Sequence, residues 1–321
     1  MDILSVPFGK ILYYLYSITD EYLLSLFIVT LVTRLIMVPS AVKQQKNAAK
    51  QLRLQAKVSK IRTKYASLPQ REAQMKVQQE TQELYQREGF SATAGGCLPL
   101  AVQMIVMLGL YGAMYSPLSH VLQISKEHVE HFKEICTQLG ITLSERQAEL
   151  GILGNFDKIM PKLDTGVYDS MIENINRFIE KFTLFGIDLT AVPNTFNDEG
   201  GNRLLILIPI LAGASAMLTA VLMYLRQRKT NPEMAKNPTM GCMTFMSPAM
   251  SAYFSFTMPA GVGVYWIFSN ILSFLQTLIL NQMYKPDKVI AMQMIDETVE
   301  RRSKENSIKL RAKQLAEENN D

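Results

Sequence analysis

Few residues of this chain have the types and settings that chemistry requires, and most of them lie inside long apolar runs: Thr30, Arg34, Gln103, Ser247, Trp266, Ser269, Asn270 and Gln276. Arg34 is the most demanding. It interrupts the run Tyr22 to Val42, YLLSLFIVTLVTRLIMVPSAV, which is long enough to cross a bilayer, because a helix needs about 20 mostly apolar residues to span roughly 30 Å of hydrocarbon. At about 1.5 Å per residue, Arg34 lies roughly 9 Å from the Pro39-Ser40 end and therefore within the apolar slab. That placement costs from about 2.5 to more than ~10 kcal/mol. The guanidinium does not deprotonate, and no apolar run contains an Asp or a Glu. Its compensation must come from water, carbonyls, a lipid phosphate or a visiting group. Snorkelling to the near headgroups is one solution; a polar cavity within the bilayer is the more economical one. Thr30, four residues earlier, shares its helix face. Each remaining polar residue alone fits a helix-helix hydrogen bond, but together with an unpaired arginine they can line a hydrated recess.

Covalent and metal chemistry find no support. An intramembrane enzyme needs its nucleophile and base in the spans, yet His120, His128 and His131 all lie in the hydrophilic stretch 116–203. Ser215, in GASAM, therefore has no base at its depth. His128 and His131 with Cys136 lack a fourth ligand and the usual zinc spacing. The GVG at Gly261 to Gly263 lacks the third glycine and preceding strand of a phosphate-cradling loop. Cys97, Cys136 and Cys242 show no paired spacing, so neither a disulfide framework nor a metal site is expected. The chain reads as a non-enzyme without cofactor or metal.

The elements that must position Arg34 follow from segregation of the sequence. The 321 residues are 48% hydrophobic and 19% charged, and the charges fall in blocks between apolar runs, the pattern of an all-α polytopic membrane protein. Residues 1–21 carry apolar side chains at helical spacing and read as an amphipathic helix in the interface plane; they contain neither a secretory cleavage pattern nor a cysteine for lipidation. Five spans are expected: 22–42, 97–115, 204–225, 240–258 and 260–283. Between the first two, 43–94 forms a helical hairpin divided at Pro69, with Leu54, Val58, Ile61, Tyr65 and Leu68 on a coiled-coil seam and Glu80 occupying a seam position of the second arm. Its basic exterior suits anionic lipid or RNA. The insert 116–203 holds amphipathic helices over Ser125 to Leu139, ending at Gly140, and Tyr168 to Lys181. The third span carries a small-residue stripe, Ala212, Ala216 and Ala220, that permits close packing; the fourth carries Met240, Met243, Met246 and Met250 at helical spacing. A cytoplasmic loop, 226–239, and a helical tail, 284–321, complete the chain.

Residues 41–95 hold 11 basic and 4 acidic side chains, residues 226–239 hold 4 and 1, and the insert holds 8 and 13. Basic loops stay on the cytoplasmic side. With five spans this sets the N-terminus outside and both basic loops and the tail inside.

Four motifs then resemble the YidC membrane protein insertase family: T-x-x-x-R-x-x-M-x-P at Thr30, Arg34, Met37 and Pro39; GGCLPLAVQM, Gly95 to Met104; FGIDLT, Phe185 to Thr190; and FTMPAGVGVYWIFSN, Phe256 to Asn270, with its aromatic pair Tyr265 and Trp266. The resemblance implies five helices around a hydrophilic groove in the bacterial cytoplasmic membrane. It implies that Arg34 draws the polar part of a nascent membrane protein partway across, and that the apolar segment then slides into lipid. It places Arg34, Thr30, Gln103, Met104, Tyr265 and Trp266 in the groove, joined by Ser269, Asn270 and Gln276 from the residue reading. Implied partners are nascent membrane proteins, the ribosome, the signal recognition particle, the Sec translocon and membrane lipids, with no specific DNA binding. Ile105 stands where the family usually has proline, and the tail is balanced, 8 basic to 8 acidic residues over 285–321, where the family's is often basic. The rival class is a transporter or channel for a small anionic solute bound by Arg34. A single-copy arrangement without inverted repeats and the large hairpin favour the insertase.

Overall fold

The computed structural model describes residues 2–88, 92–145, 147–164, 166–197, 201–230 and 238–318. It is an all-α membrane protein with one very short β-hairpin. In chain order the helices of four or more residues are α1 (Asp2–Thr19), α2 (Tyr22–Ile36), α3 (Val38–Lys64), α4 (Gln70–Arg87), α5 (Ala92–Tyr115), α6 (Pro117–His120), α7 (Lys126–Gln138), α8 (Ala148–Gly154), α9 (Phe156–Ile159) and α10 (Asp169–Lys181). Strands β1 (Thr183–Leu184) and β2 (Ile187–Asp188) follow, then α11 (Leu207–Thr230), α12 (Pro238–Thr257), α13 (Ala260–Met283) and α14 (Pro286–Glu318). Among the described residues two helices are long and apolar enough to span by themselves, Arg203–Lys229, which includes a 3-10 lead-in to α11, and Ala260–Met283.

The run 22–42 is not one helix. It breaks at Met37, and α3 starts with Pro39 in its first turn. Proline has no N–H to donate and disfavours helical geometry in the residue before it, yet is tolerated at a helix start. The run is therefore divided where its proline stands.

The chain folds as two units. The first comprises residues 1–38 and 100–277. Its core joins Leu26 and Val29 of α2 and Leu110 and Met114 of α5 to Phe132, Phe156, Ile175 and Phe178 of the insert, all nearly inaccessible. In the insert, α7 begins at Ser125, whose hydroxyl caps the helix, and ends before Gly140 at φ +71°, a left-handed value that glycine adopts without a Cβ clash. The rings of His128 and His131 pack against Tyr168, with centroids 5.3 and 6.0 Å away. Among the described residues no group of His, Cys, Asp and Glu has the geometry of a metal site. The turn between α1 and α2 holds Asp20 at φ +52°, and its carboxylate accepts hydrogen bonds from Arg177 and Lys181 of α10. α1 buries Ser5 and Leu12 and exposes Ile11, Tyr14 and Ile18.

Helices α11 and α12 pack as an antiparallel pair along the predicted small-residue stripe: Ala212, Ala216 and Ala220 are buried, and a Cβ on Gly213 would lie 3.1 Å from that of Ala252. Gly263 of α13 is closer still to its neighbour, since a Cβ there would fall 2.3 Å from Ile208 Cγ2. This glycine serves packing, not phosphate. On α12, Met246 and Met250 point outward; Met240 and Met243 lie outside the described side chains. The segment after the β-hairpin caps α13: Leu189 O and Ala191 O accept from the N–H groups of Gly261 and Ala260 at 2.9 and 2.8 Å. Two helix-terminal donors with no partner in their own helix are thereby satisfied.

The second unit comprises residues 39–99 and 278–321. Its hairpin of α3 and α4 turns at Pro69, and the predicted seam is its least accessible stripe, with Leu54 and Val58 buried and Ile61, Tyr65 and Leu68 half-buried. Glu80, the charged seam residue, accepts from Lys64 Nζ and Tyr65 Oη of the facing arm at 2.6 and 2.7 Å, which holds its carboxyl below the usual range. Arg53 pairs with Glu297 of α14 at 2.9 Å. The tail is helical to Glu318.

Candidate functional site

Helix α2 carries Thr30 and Arg34 one turn apart. Thr30 is buried and its hydroxyl donates to Leu26 O at 2.7 Å, so it is satisfied within its own helix. Arg34 is half-buried and reaches α13, where its Nη2 donates to Ser269 Oγ at 2.6 Å and Ser269 O at 3.1 Å. Among the described residues no carboxylate pairs with it, and neither Nη1 nor Nε makes a hydrogen bond. Among the described residues the hydrogen bonds of a full charge with five donors thus go to one neutral residue. The bonds to neutral oxygens orient the fork without neutralising it.

Helical periodicity divides the α13 candidates. Tyr265, Ser269 and Gln276 fall within about 40° of one another, while Trp266 and Asn270 lie about 100° to 140° round from Tyr265. Tyr265 is buried and meets Tyr111 of α5 edge to face, with centroids 6.1 Å apart; Gln276 is half-buried. On the other face, Trp266 stacks on Phe254 of α12 at 6.3 Å. Asn270 Nδ2 lies 3.1 Å from Ala212 O, 3.1 Å from Ser251 Oγ and 3.3 Å from Ser215 Oγ. Ser215 and Ser251 also donate to Ala212 O, at 3.0 and 3.3 Å.

The hydrogen-bonded polar residues of these helices form two clusters. One, Arg34 with Ser269, keeps open donors. The other, Asn270 with Ser215, Ser251 and Ala212 O, ties α11, α12 and α13 together through the Asn270 Nδ2 group. Ser251 has the role on α12 that its polarity gave equally to Ser247, which is exposed; only the pairing with Asn270 distinguishes them. Met104 is exposed, and Ile105, in the proline's place, is exposed on an unbroken α5. Gln103 lies outside the described side chains.

Helices of this length and hydropathy, carrying buried polar clusters, define an α-helical membrane protein. Its sequence matches, over residues 14–288, the family described as 60Kd inner membrane protein. The chain belongs to this family, the YidC family that its motifs resemble. Among curated relatives it is 24% identical to membrane protein insertase MisCA of Bacillus subtilis over 85% of this chain and 76% of that one. It is 28% identical to membrane protein insertase YidC of Oceanobacillus iheyensis over 82% and 75%. The Listeria innocua protein named membrane protein insertase YidC 2 is 24% identical over 83% of this chain and 66% of its own length.

Proposed function

We propose that this chain is a membrane protein insertase that moves the hydrophilic segments of nascent membrane proteins partway across the bacterial cytoplasmic membrane and releases their apolar segments into lipid. The observation that carries the reading is the open guanidinium of Arg34, held by Ser269 and paired with no carboxylate among the described residues. A carboxylate arriving on a client supplies the missing counterion transiently, and leaves again because the site offers no second charge to hold it. Relatives of the same family that carry the name insertase support this.

In this reading 22–42, 97–115, 204–225, 240–258 and 260–283 cross the membrane, with the N-terminus outside and the hairpin and tail in the cytoplasm. Thr30, Gln103, Met104, Tyr265, Trp266, Asn270 and Gln276 support the groove. The hairpin receives clients from the ribosome and the signal recognition particle, and the protein works alone or beside the Sec translocon. The chemistry is non-covalent. The polar path lowers the desolvation cost of a crossing segment, and no bond is made or broken.

The test is insertion, in proteoliposomes, of a single-span client with an acidic outer tail. Hydrogen bonds to charged groups are worth about 1.5 to 3 kcal/mol, so Arg34→Ala is expected to slow insertion by about ten-fold or more, while Arg34→Lys retains most of it. Equal insertion by wild type and Arg34→Ala would sink the electrostatic mechanism.

A further inference from the structure

The β-hairpin before α11 breaks a local rule in a way that points outward. Its two-residue turn, Phe185-Gly186, has φ +50° at Phe185 and +77° at Gly186, the left-handed pair of a type I′ turn. Such turns favour Asn, Asp or Gly at both positions; a large aromatic in the left-handed region is strained. The strain is not offset by packing, for the Phe185 ring is 91% exposed. Nothing in the hairpin's own folding explains an aromatic there, because inward packing is supplied by Ile187, which is buried.

The hairpin is also fixed at a definite level. Gly186 O accepts from Asn202 Nδ2 at 2.9 Å, and Asn202 Oδ1 in turn accepts from Leu204 N at 2.9 Å, capping the lead-in to α11. On its other side the chain from Leu189 to Ala191 holds the first turn of α13. The tip therefore stands at the ends of two apolar helices, both on the insert's side. Immediately beyond Asn202, the 3-10 lead-in presents exposed Arg203 and Leu204, and α11 begins with exposed Leu207. A basic residue followed by outward leucines is the composition of a helix passing from headgroups into hydrocarbon.

We propose that Phe185 is a lipid anchor: the hairpin tip sets its ring into the interfacial layer of the leaflet on the insert's side, continuous with the apolar flank of α11. The anchor would hold the insert down over the ends of α11 and α13. The inference rests on these helices as membrane spans and not on the insertase reading.

The experiment uses the full chain in phosphatidylcholine vesicles. Wild type has one tryptophan, Trp266, so the fluorescence of Phe185→Trp minus that of wild type isolates position 185. The expected difference signal is blue-shifted, quenched about two-fold or more by lipids brominated near the top of the acyl chains, as for an interfacial aromatic, and shielded from aqueous acrylamide. Full acrylamide quenching with no effect of brominated lipid overturns the proposal, since a ring facing water or awaiting a protein partner behaves that way when the chain is alone. A second variant, Phe185→Asn, suits the left-handed turn and removes the ring. Its Tm in detergent should match or exceed that of wild type. A clear fall would mean that the ring packs on protein, and would also overturn the anchor, whether or not insertion by the same variant is impaired.

Discussion

Glu149 and Arg34 are both charged side chains withdrawn from water, and the protein treats them in opposite ways. Glu149, in the insert, is 93% buried, but its two oxygens are both occupied: Oε1 accepts from Ser119 Oγ at 2.6 Å and Oε2 from Ser119 N at 2.9 Å. The carboxylate closes the start of α6 and serves structure. Arg34, in the apolar helices, hydrogen-bonds to one neutral residue among the described residues and keeps two nitrogens without a hydrogen bond. Burial of a charge is tolerated when its hydrogen-bonding capacity is filled, and the unfilled one is where, in the proposed function, a client carboxylate binds.

Filling that place should break the contrast. Ser269→Asp puts a carboxylate where the Arg34 fork already points, converting the open charge into an internal pair. The expected outcome is insertion reduced about as far as by Arg34→Ala, roughly ten-fold or more, with Tm unchanged or raised. Normal insertion by Ser269→Asp would mean that Arg34 need not be free.

Glu149→Ala should do the converse. It leaves the Ser119 hydroxyl and N–H without their acceptor and opens a buried gap, at a cost of about 2 to 4 kcal/mol read as a lower Tm, while insertion per folded molecule stays near that of wild type. A smaller loss is expected at the second polar cluster: Asn270→Ala removes the tie among α11, α12 and α13 and costs about 0.6 to 1.7 kcal/mol, again visible in Tm. If Asn270→Ala instead abolished insertion in a fully stable protein, Asn270 would act on the client directly and not only by supporting the groove.

Much of this arrangement was legible beforehand because it follows from local rules. Arg34 stood out by cost alone, α7 announced itself by Ser125 and Gly140, and the alanine stripe of α11 predicted close packing. The two faces of the α13 polar residues are also legible, since one-turn spacing separates Tyr265 and Ser269 from Trp266 and Asn270. Other features depend on partners distant in sequence. Neither the choice of Ser251 over Ser247 nor the reach of Arg34 to Ser269 leaves a local mark. The hairpin leaves no sequence signal because Phe-Gly is not a usual type I′ pair, and the split of 22–42 leaves none because proline near a helix start and proline within a span look alike in an apolar run.

The smallest expected effect concerns two carboxylates of the extramembrane region whose titrations oppose each other. Asp20 is held below the usual carboxylate range, first by the hydrogen bond from Lys181 and then by Arg177. A depressed acid stabilises the fold above its unfolded pKa, and that contribution is lost as pH falls through the folded value. Glu149 is pushed up by burial, with the bonds from Ser119 opposing the shift. A raised acid favours the fold below its unfolded pKa, and this contribution fades as pH rises through the folded value. Tm measured in detergent from about pH 7 down to about pH 3, across the carboxylate range, should separate them. Asp20→Asn should flatten the decline at the acid end. Glu149→Gln, which keeps the side chain's shape but removes its titration, should flatten the slope above the ordinary glutamate range. If Asp20→Asn left the acid limb unchanged, the ion pairs that join the α1–α2 turn to α10 would not contribute to stability in solution, and the fixed seat of α10 beneath that turn would have to come from the Tyr22, Phe178 and Phe182 rings, whose centroids lie 4.7 to 5.6 Å apart.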